Sequence, residues 1–198
     1  RNAKQPIREE YLLSNKLEKT NEAYALAKII GLKLCKYYSE QYNANFITAM
    51  PTNLYGINDN FHLFNSHVIP AIIHKIFLAK KNNELSLSLL GSGKELREFL
   101  YVDDLADALI YLMNEYSSSE IINIGSNTEI TIKDLSKVIS DCIGYKGKII
   151  FNSSKIKGTP RKLLDSSKIH NLGWSSKTNF KDGIENVCNW FINNYENI

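Results

Sequence analysis

Apolar positions along this chain follow two alternating rhythms. In residues 21–42, Ala23, Leu26, Ala27, Ile30, Leu34 and Tyr38 recur at spacings of three and four, which predicts a helix. Residues 45–50 (NFITAM) are a short apolar run ended by Pro51 and read as a buried strand. Helical spacing returns over 66–81, with Pro70 near the first turn, where a missing N–H costs little. Residues 85–90 alternate Leu and Ser, the period of a strand, and stop at Gly91-Ser92-Gly93.

The alternation continues towards the carboxyl terminus. Residues 98–102 (EFLYV) form another extended segment, and Asp103 and Asp104 are placed to cap a helix reaching Asn114. A strand over 121–124 breaks at Gly125. Thr131 and Asp134 have capping-box spacing and open a helix to about Cys142 that Gly144 and Gly147 close. A strand over 148–151 and a loop holding Gly158, Thr159 and Pro160 follow. A short helix from Ser166 and a last one over 180–195 finish the chain. Helices alternating with strands define an α/β fold with a largely parallel sheet.

Composition narrows the function. The 198 residues are 43% hydrophobic and 23% charged, which fits a folded globular chain rather than a disordered one. The net charge of +3 comes from scattered basic residues, so no nucleic-acid partner is expected. Cys35, Cys142 and Cys188 are far apart and form no CxxC pair, so neither a disulfide framework nor a metal site is expected. Reduced thiols suit a cytoplasmic protein. No apolar run approaches the roughly 18 residues of a membrane span, so no membrane partner is expected either. The opening Arg1-Asn2-Ala3-Lys4-Gln5-Pro6 lacks both an apolar signal core and an initiator methionine, and the sequence is expected to begin in mid-protein.

Candidate chemistry begins with Tyr24 and Lys28, four apart on the first helix and therefore on one face. An ammonium beside a phenol stabilises phenolate, and a tyrosine so tuned exchanges protons with a carbonyl or alcohol near neutral pH. Taken alone, such a pair occurs by chance on many helices. The loop Pro51-Thr52-Asn53-Leu54-Tyr55-Gly56 follows a strand, where open α/β sheets bind ligands. No G-x-G-x-x-G turn and no P-loop occurs in the sequence, so it holds no phosphate cradle of that kind.

Five blocks, TNEAYALAKIIGLKLC, MPTNLYG, NSHVIPA, REFLYVDDLADA and GTPRKLLD, together resemble the GDP-L-fucose synthase family of extended short-chain dehydrogenases. The resemblance runs from about Gln5 to Tyr195. It implies an NAD(P)-binding Rossmann fold, here its later part, with a smaller α/β substrate-binding domain. Residues 1–58 would belong to the Rossmann domain and 59–198 mainly to the substrate domain, with 98–124 returning to the Rossmann sheet.

Residue by residue, the resemblance makes Tyr24 the acid that protonates the C4 oxygen. Lys28 would bind the nicotinamide ribose and lower the tyrosine pKa. Pro51, Thr52, Asn53 and Leu54 would line the nicotinamide end of NADP(H). His67 would sit beside the cofactor and donate a proton during epimerisation, its alternative being a helix cap. Arg97 and Lys162 match substrate contacts, a guanidinium being suited to a diphosphate. Arg161 and Asp165 are either further contacts or an ion pair within the loop. His62, His74 and His170 match no functional position and are expected at the surface.

Two positions depart from the family pattern. Lys75 stands where an arginine is common, and Leu90 replaces a tryptophan, so the packing around the nucleotide is expected to differ. The implied activity is NADPH-dependent epimerisation and 4-keto reduction of GDP-4-keto-6-deoxy-D-mannose by a homodimer. The alternatives are a related sugar-nucleotide epimerase or dehydratase, or a non-catalytic remnant. In the family, the glycine-rich turn, a catalytic serine and a cysteine base lie upstream of the matched blocks. The isolated chain is therefore expected to bind cofactor poorly and turn over little.

Overall fold

The structure is a computed structural model, which describes residues 2–63, 65–152 and 159–197. Its helices and strands run α1 (Glu22–Tyr42), β1 (Ala49–Pro51), β2 (Asn53–Tyr55), α2 (Val68–Lys81), β3 (Ser86–Leu90), β4 (Leu96–Tyr101) and α3 (Val102–Glu115). Then come β5 (Ile122–Ile124), β6 (Glu129–Thr131), α4 (Ile132–Ile143), β7 (Lys148–Asn152), β8 (Arg161–Lys162), α5 (Ser167–Asn171) and α6 (Phe180–Asn194).

Parallel pairing dominates. β1 pairs with β5, β2 with β4, β3 with β7 and β8 with β4, while β6 alone of the described strands runs antiparallel, also against β4. β4 is therefore the centre, with strands from three distant parts of the sequence on its flanks. Side chains alternate across a strand. Register places Asn53 opposite Phe99 and Tyr55 opposite Tyr101, so β2 and β4 share a front face that also carries Arg97. Tyr55 packs edge-on to Phe99, Tyr101 and Phe180 on that side. These rings join a core built with α2, α4 and α6, including Ile73, Ile76, Leu135, Ile139 and Phe191. The back face carries Leu54 and Leu100, which pack with Ile122, Ile124, Leu112 and Trp174 in a second core.

Several expected elements differ in detail. The strand read over 45–50 is confined to Ala49–Pro51, because Ile122–Ile124 offers pairing partners only there. Residues 53–55, read as loop, form β2, and 129–131 and 161–162 also pair, all against β4. Each is two or three residues long, too short for periodicity to register. Thr131 does cap α4: its Oγ1 accepts from Asp134 N and donates to Asp134 Oδ2, and Gly144 ends the helix at φ 76°. Asp103 and Asp104 lie in the first turn of α3 rather than capping it, Tyr101 being the N-cap. Buried Asp104 instead accepts from the backbone N–H groups of Lys177 and Thr178.

α1 departs most. No residue of this 21-residue helix is buried. The face that periodicity picks out is the exposed one, with Leu26, Ile30, Leu34 and Tyr38 all open. Ala25, Ile29, Leu32 and Cys35, on another side, are partly covered. The helix is apolar on more than one side, and the body of the chain takes only one. Lys36 to Glu120 (3.4 Å) and Tyr38 against Phe46 tie it down.

Candidate functional site

The front face of the β2–β4–β8 ribbon brings together three residues that the sequence assigns to a site. Asn53 enters from β2, Arg97 from β4 and Lys162 from β8, with Arg97 and Lys162 in direct register. Lys162 Nζ donates to Asn53 Oδ1 at 3.3 Å, and Asn53 Nδ2 donates to the Glu98 carbonyl at 2.8 Å. Half-buried Arg97 turns one guanidinium nitrogen to its neighbour's carbonyl, Leu96 O, at 2.7 Å. Crowding of the Lys162 ammonium, and then the Arg97 charge beside it, hold that lysine below its ordinary value. Burial likewise lowers Arg97, against the opposing charge of Glu95. Two adjacent cations, neither in a salt bridge among the described residues, attract a dianion such as a diphosphate.

Glu95 is drawn away from this pair. Its carboxylate accepts from Ser92 N (3.1 Å) and Ser92 Oγ (2.9 Å) across the turn after β3. Arg161 and Asp165, read as either further contacts or an ion pair within the loop, each pair elsewhere. Arg161 Nε meets Glu129 at 2.8 Å and Asp165 meets Arg8 at 3.4 Å, because the alternating residues of β8 point Arg161 away from Lys162. Gly158, singled out with Thr159 and Pro160, lies outside the described residues.

The remaining predicted residues occupy separate places. Tyr24 is 61% exposed on α1, and Lys28 Nζ lies 5.5 Å from its ring centroid. Pro51 is exposed, Thr52 is buried with its N–H on Ile124 O, and Leu54 is half-buried against the second core. His67 is exposed at the N-cap position of α2, but its side chain makes no capping bond. Lys75 is half-buried on α2, and Leu90 is 54% exposed at the end of β3. Among the described residues, no hydrogen bond links Tyr24, His67, Lys75 or Leu90 to the Asn53–Arg97–Lys162 cluster.

His74, expected at the surface, is half-buried. Its Nδ1 bonds with Phe61 O (2.6 Å) and its ring packs on Phe191 and Tyr195. His170 shares a hydrogen bond with Asn127 at 2.8 Å. Sequence reasoning also passed over Glu98, which is fully buried on the back of β4. Only its position between Arg97 and Phe99 in an otherwise apolar strand signalled it. A cavity of about 370 Å³ lined by Tyr55, Tyr101, Asp104, Glu129 and Phe180 includes none of the predicted residues. Among the described residues no cluster of side chains is arranged to hold a metal ion, and no helix is long and apolar enough to cross a membrane.

A parallel α/β ribbon flanked by helices on both faces is the architecture of open α/β folds, which take ligands at the carboxyl ends of their strands. Residues 1–125 match the NAD dependent epimerase/dehydratase family, and the chain belongs to that family. It is 51% identical over 192 residues to the GDP-L-fucose synthase of Sinorhizobium fredii, covering 97% of this chain and 61% of that protein. It is 48% identical to GDP-L-fucose synthase 1 of Arabidopsis thaliana, covering 97% of this chain and 59% of that one. The crystal structure of a GDP-L-fucose synthetase from Naegleria fowleri bound to NADP superposes with a TM-score of 0.92 at 33% identity, over 98% of this chain and 63% of that one. The chain thus spans about three fifths of the length of these relatives.

Proposed function

We propose that the chain is the later part of a GDP-L-fucose synthase, which epimerises GDP-4-keto-6-deoxy-D-mannose at C3 and C5 and reduces its C4 ketone with NADPH. The observation that carries this reading is the Asn53–Arg97–Lys162 face, in which two neighbouring cations await a diphosphate. The similarity to GDP-L-fucose synthases over almost the whole chain supports it.

The residues present fit one end of the cofactor. Thr52 and Asn53 are both fastened to the Glu98 carbonyl, which fixes the loop that would line the nicotinamide. Lys28 and Tyr24 stand together and exposed, open to a ribose and a carbonyl. The chemistry the bound cofactor supplies is a hydride to C4. Tyr24 would give its phenolic proton to the C4 oxygen, with Lys28 favouring the phenolate that remains. His67 would return a proton to carbon during epimerisation, where the ketone acidifies the neighbouring C–H bonds. Arg97 and Lys162 would hold the diphosphate, Lys75 and Leu90 would border the nucleotide, and the exposed face of α1 would pair with a second copy in a homodimer. A cytoplasmic location suits free thiols and a nucleotide-sugar substrate.

The domain division follows the same reading. Pairing of Ala49–Pro51 with Ile122–Ile124 supports a return of 98–124 to the Rossmann sheet. The test is incubation of the chain, joined to an upstream segment that carries a glycine-rich turn, with GDP-4-keto-6-deoxy-D-mannose and NADPH in D₂O. GDP-L-fucose formed with deuterium at C3 and C5, and lost in Tyr24→Phe, supports the proposal. Reduction without deuterium identifies a ketoreductase of another nucleotide sugar, and tight GDP binding without turnover a non-catalytic remnant.

A further inference from the structure

Glu98 ties both halves of the candidate site to one residue. Its backbone carbonyl accepts from Asn53 Nδ2 at 2.8 Å and from Thr52 Oγ1 at 3.4 Å. Its carboxylate, on the opposite face of β4, accepts from Asn127 N at 2.8 Å and from Leu164 N at 3.0 Å. Leu164 is two residues beyond Lys162, and β8 itself is only two residues long. Such a ribbon has little register of its own, so something else must hold it. The Leu164 N–H is not used by the neighbouring bridge, which runs from Ile7 N to Leu163 O and from Asp165 N to Ile7 O. It is therefore committed to the carboxylate.

A carboxylate with no exposed surface is costly unless its oxygens are filled. Here backbone N–H groups from two segments fill them, and among the described residues no cation pairs with it: Arg97, its neighbour in sequence, projects from the other side of the strand. A buried acid with no counter-cation adds little to stability even when its oxygens are filled. Its geometric effect is specific, because it fixes the segment that carries Lys162 against the strand that carries Arg97.

We infer that Glu98 is a positioning residue for the diphosphate subsite, holding Lys162 beside Arg97 through the Leu164 N–H. The inference rests on the reading of Lys162 as a diphosphate contact. Glu98→Gln keeps one acceptor oxygen and sets an NH₂ donor against one of the two N–H groups, so one clamp is lost.

The test is calorimetric titration of the full chain with GDP, in a cycle of wild type, Lys162→Met, Glu98→Gln and the double variant. Lys162→Met weakens GDP by about tenfold or more, and Glu98→Gln by a similar factor. The double variant binds no worse than Lys162→Met alone, because both changes remove the same contact. Factors that multiply in the double variant, or normal GDP affinity in Glu98→Gln, overturn the positioning role while leaving the diphosphate reading intact. Affinity unchanged in Lys162→Met overturns that reading and the inference with it. Should Glu98→Gln not fold, amide exchange in the wild type decides: slow exchange at Leu164 N–H supports the clamp and rapid exchange overturns it.

Discussion

Gly125 has no room for a methyl group. A Cβ there would fall within 2.7 Å of Ser166 Oγ and closer still to Glu98 Oε1. Gly125→Ala is therefore expected to lower stability by about 1–3 kcal/mol, as overpacking does, read as a lower urea midpoint. The cysteines form a second residue-scale series. Cys188 is fully buried and its thiol is pushed well above the ordinary range, first by burial. Cys142, half-buried beside it, is raised for the same reason, while Cys35 lies partly open on α1. Alkylation mapped by peptide mass is expected to modify Cys35 first and Cys188 only on unfolding. At this scale the sequence was uneven. Tyr24 and Lys28 were legible because helical spacing alone puts them together, whereas His74 was not, since its partner Phe61 O lies 13 residues upstream, outside the helix. Glu98 was hidden because burial is decided by Leu164 and Asn127, far along the chain.

Among the elements, helix ends carry the clearest expectations. Thr131→Ala removes the N-cap of α4 and is expected to cost about 1 kcal/mol, measured by thermal unfolding. On α3, Asp107 accepts from Trp174 Nε1 at 2.8 Å and from Lys177 Nζ at 3.1 Å. These bonds hold its carboxyl below the usual aspartate range. A carboxyl whose folded value is depressed stabilises the fold above its unfolded value, about 3.9, and that contribution is lost as pH falls through the folded value. Asp107→Asn is thus expected to flatten the acid side of the stability–pH curve. In Trp174→Phe, NMR titration should find the Asp107 carboxyl closer to its ordinary value. The capping box on α4 was readable because it is encoded within four residues. β2, β6 and β8 were not, because each exists only through β4, and their partners there are 31 to 65 positions distant.

At the scale of the whole molecule, the exposed apolar side of α1 sets the expectation. Ile30, Leu34 and Tyr38 lie at helical spacing and are each at least half exposed, with Tyr42 and Phe46 against Tyr38. If this stripe closes a homodimer, the wild type sediments as a dimer and Ile30→Glu as a monomer with unchanged far-UV circular dichroism. A wild-type monomer would contradict the dimer proposal. Periodicity correctly found an apolar face on this helix. It could not say whether that face meets the chain's own core or another surface, because both need the same residues at the same spacing.

The assembly of β4's neighbours also sets a clock. Asn53 and Lys162 touch although 109 positions separate them. A ribosome adding roughly 5–20 residues each second needs on the order of 5–20 s to cover that interval. Throughout it, the Asn53 amide and, once made, the Arg97 guanidinium emerge without the lysine that completes them, and one edge of β4 stays open. Anion affinity should therefore switch on late and abruptly during synthesis. Stalled chains released before residue 162 should be those that chaperones capture.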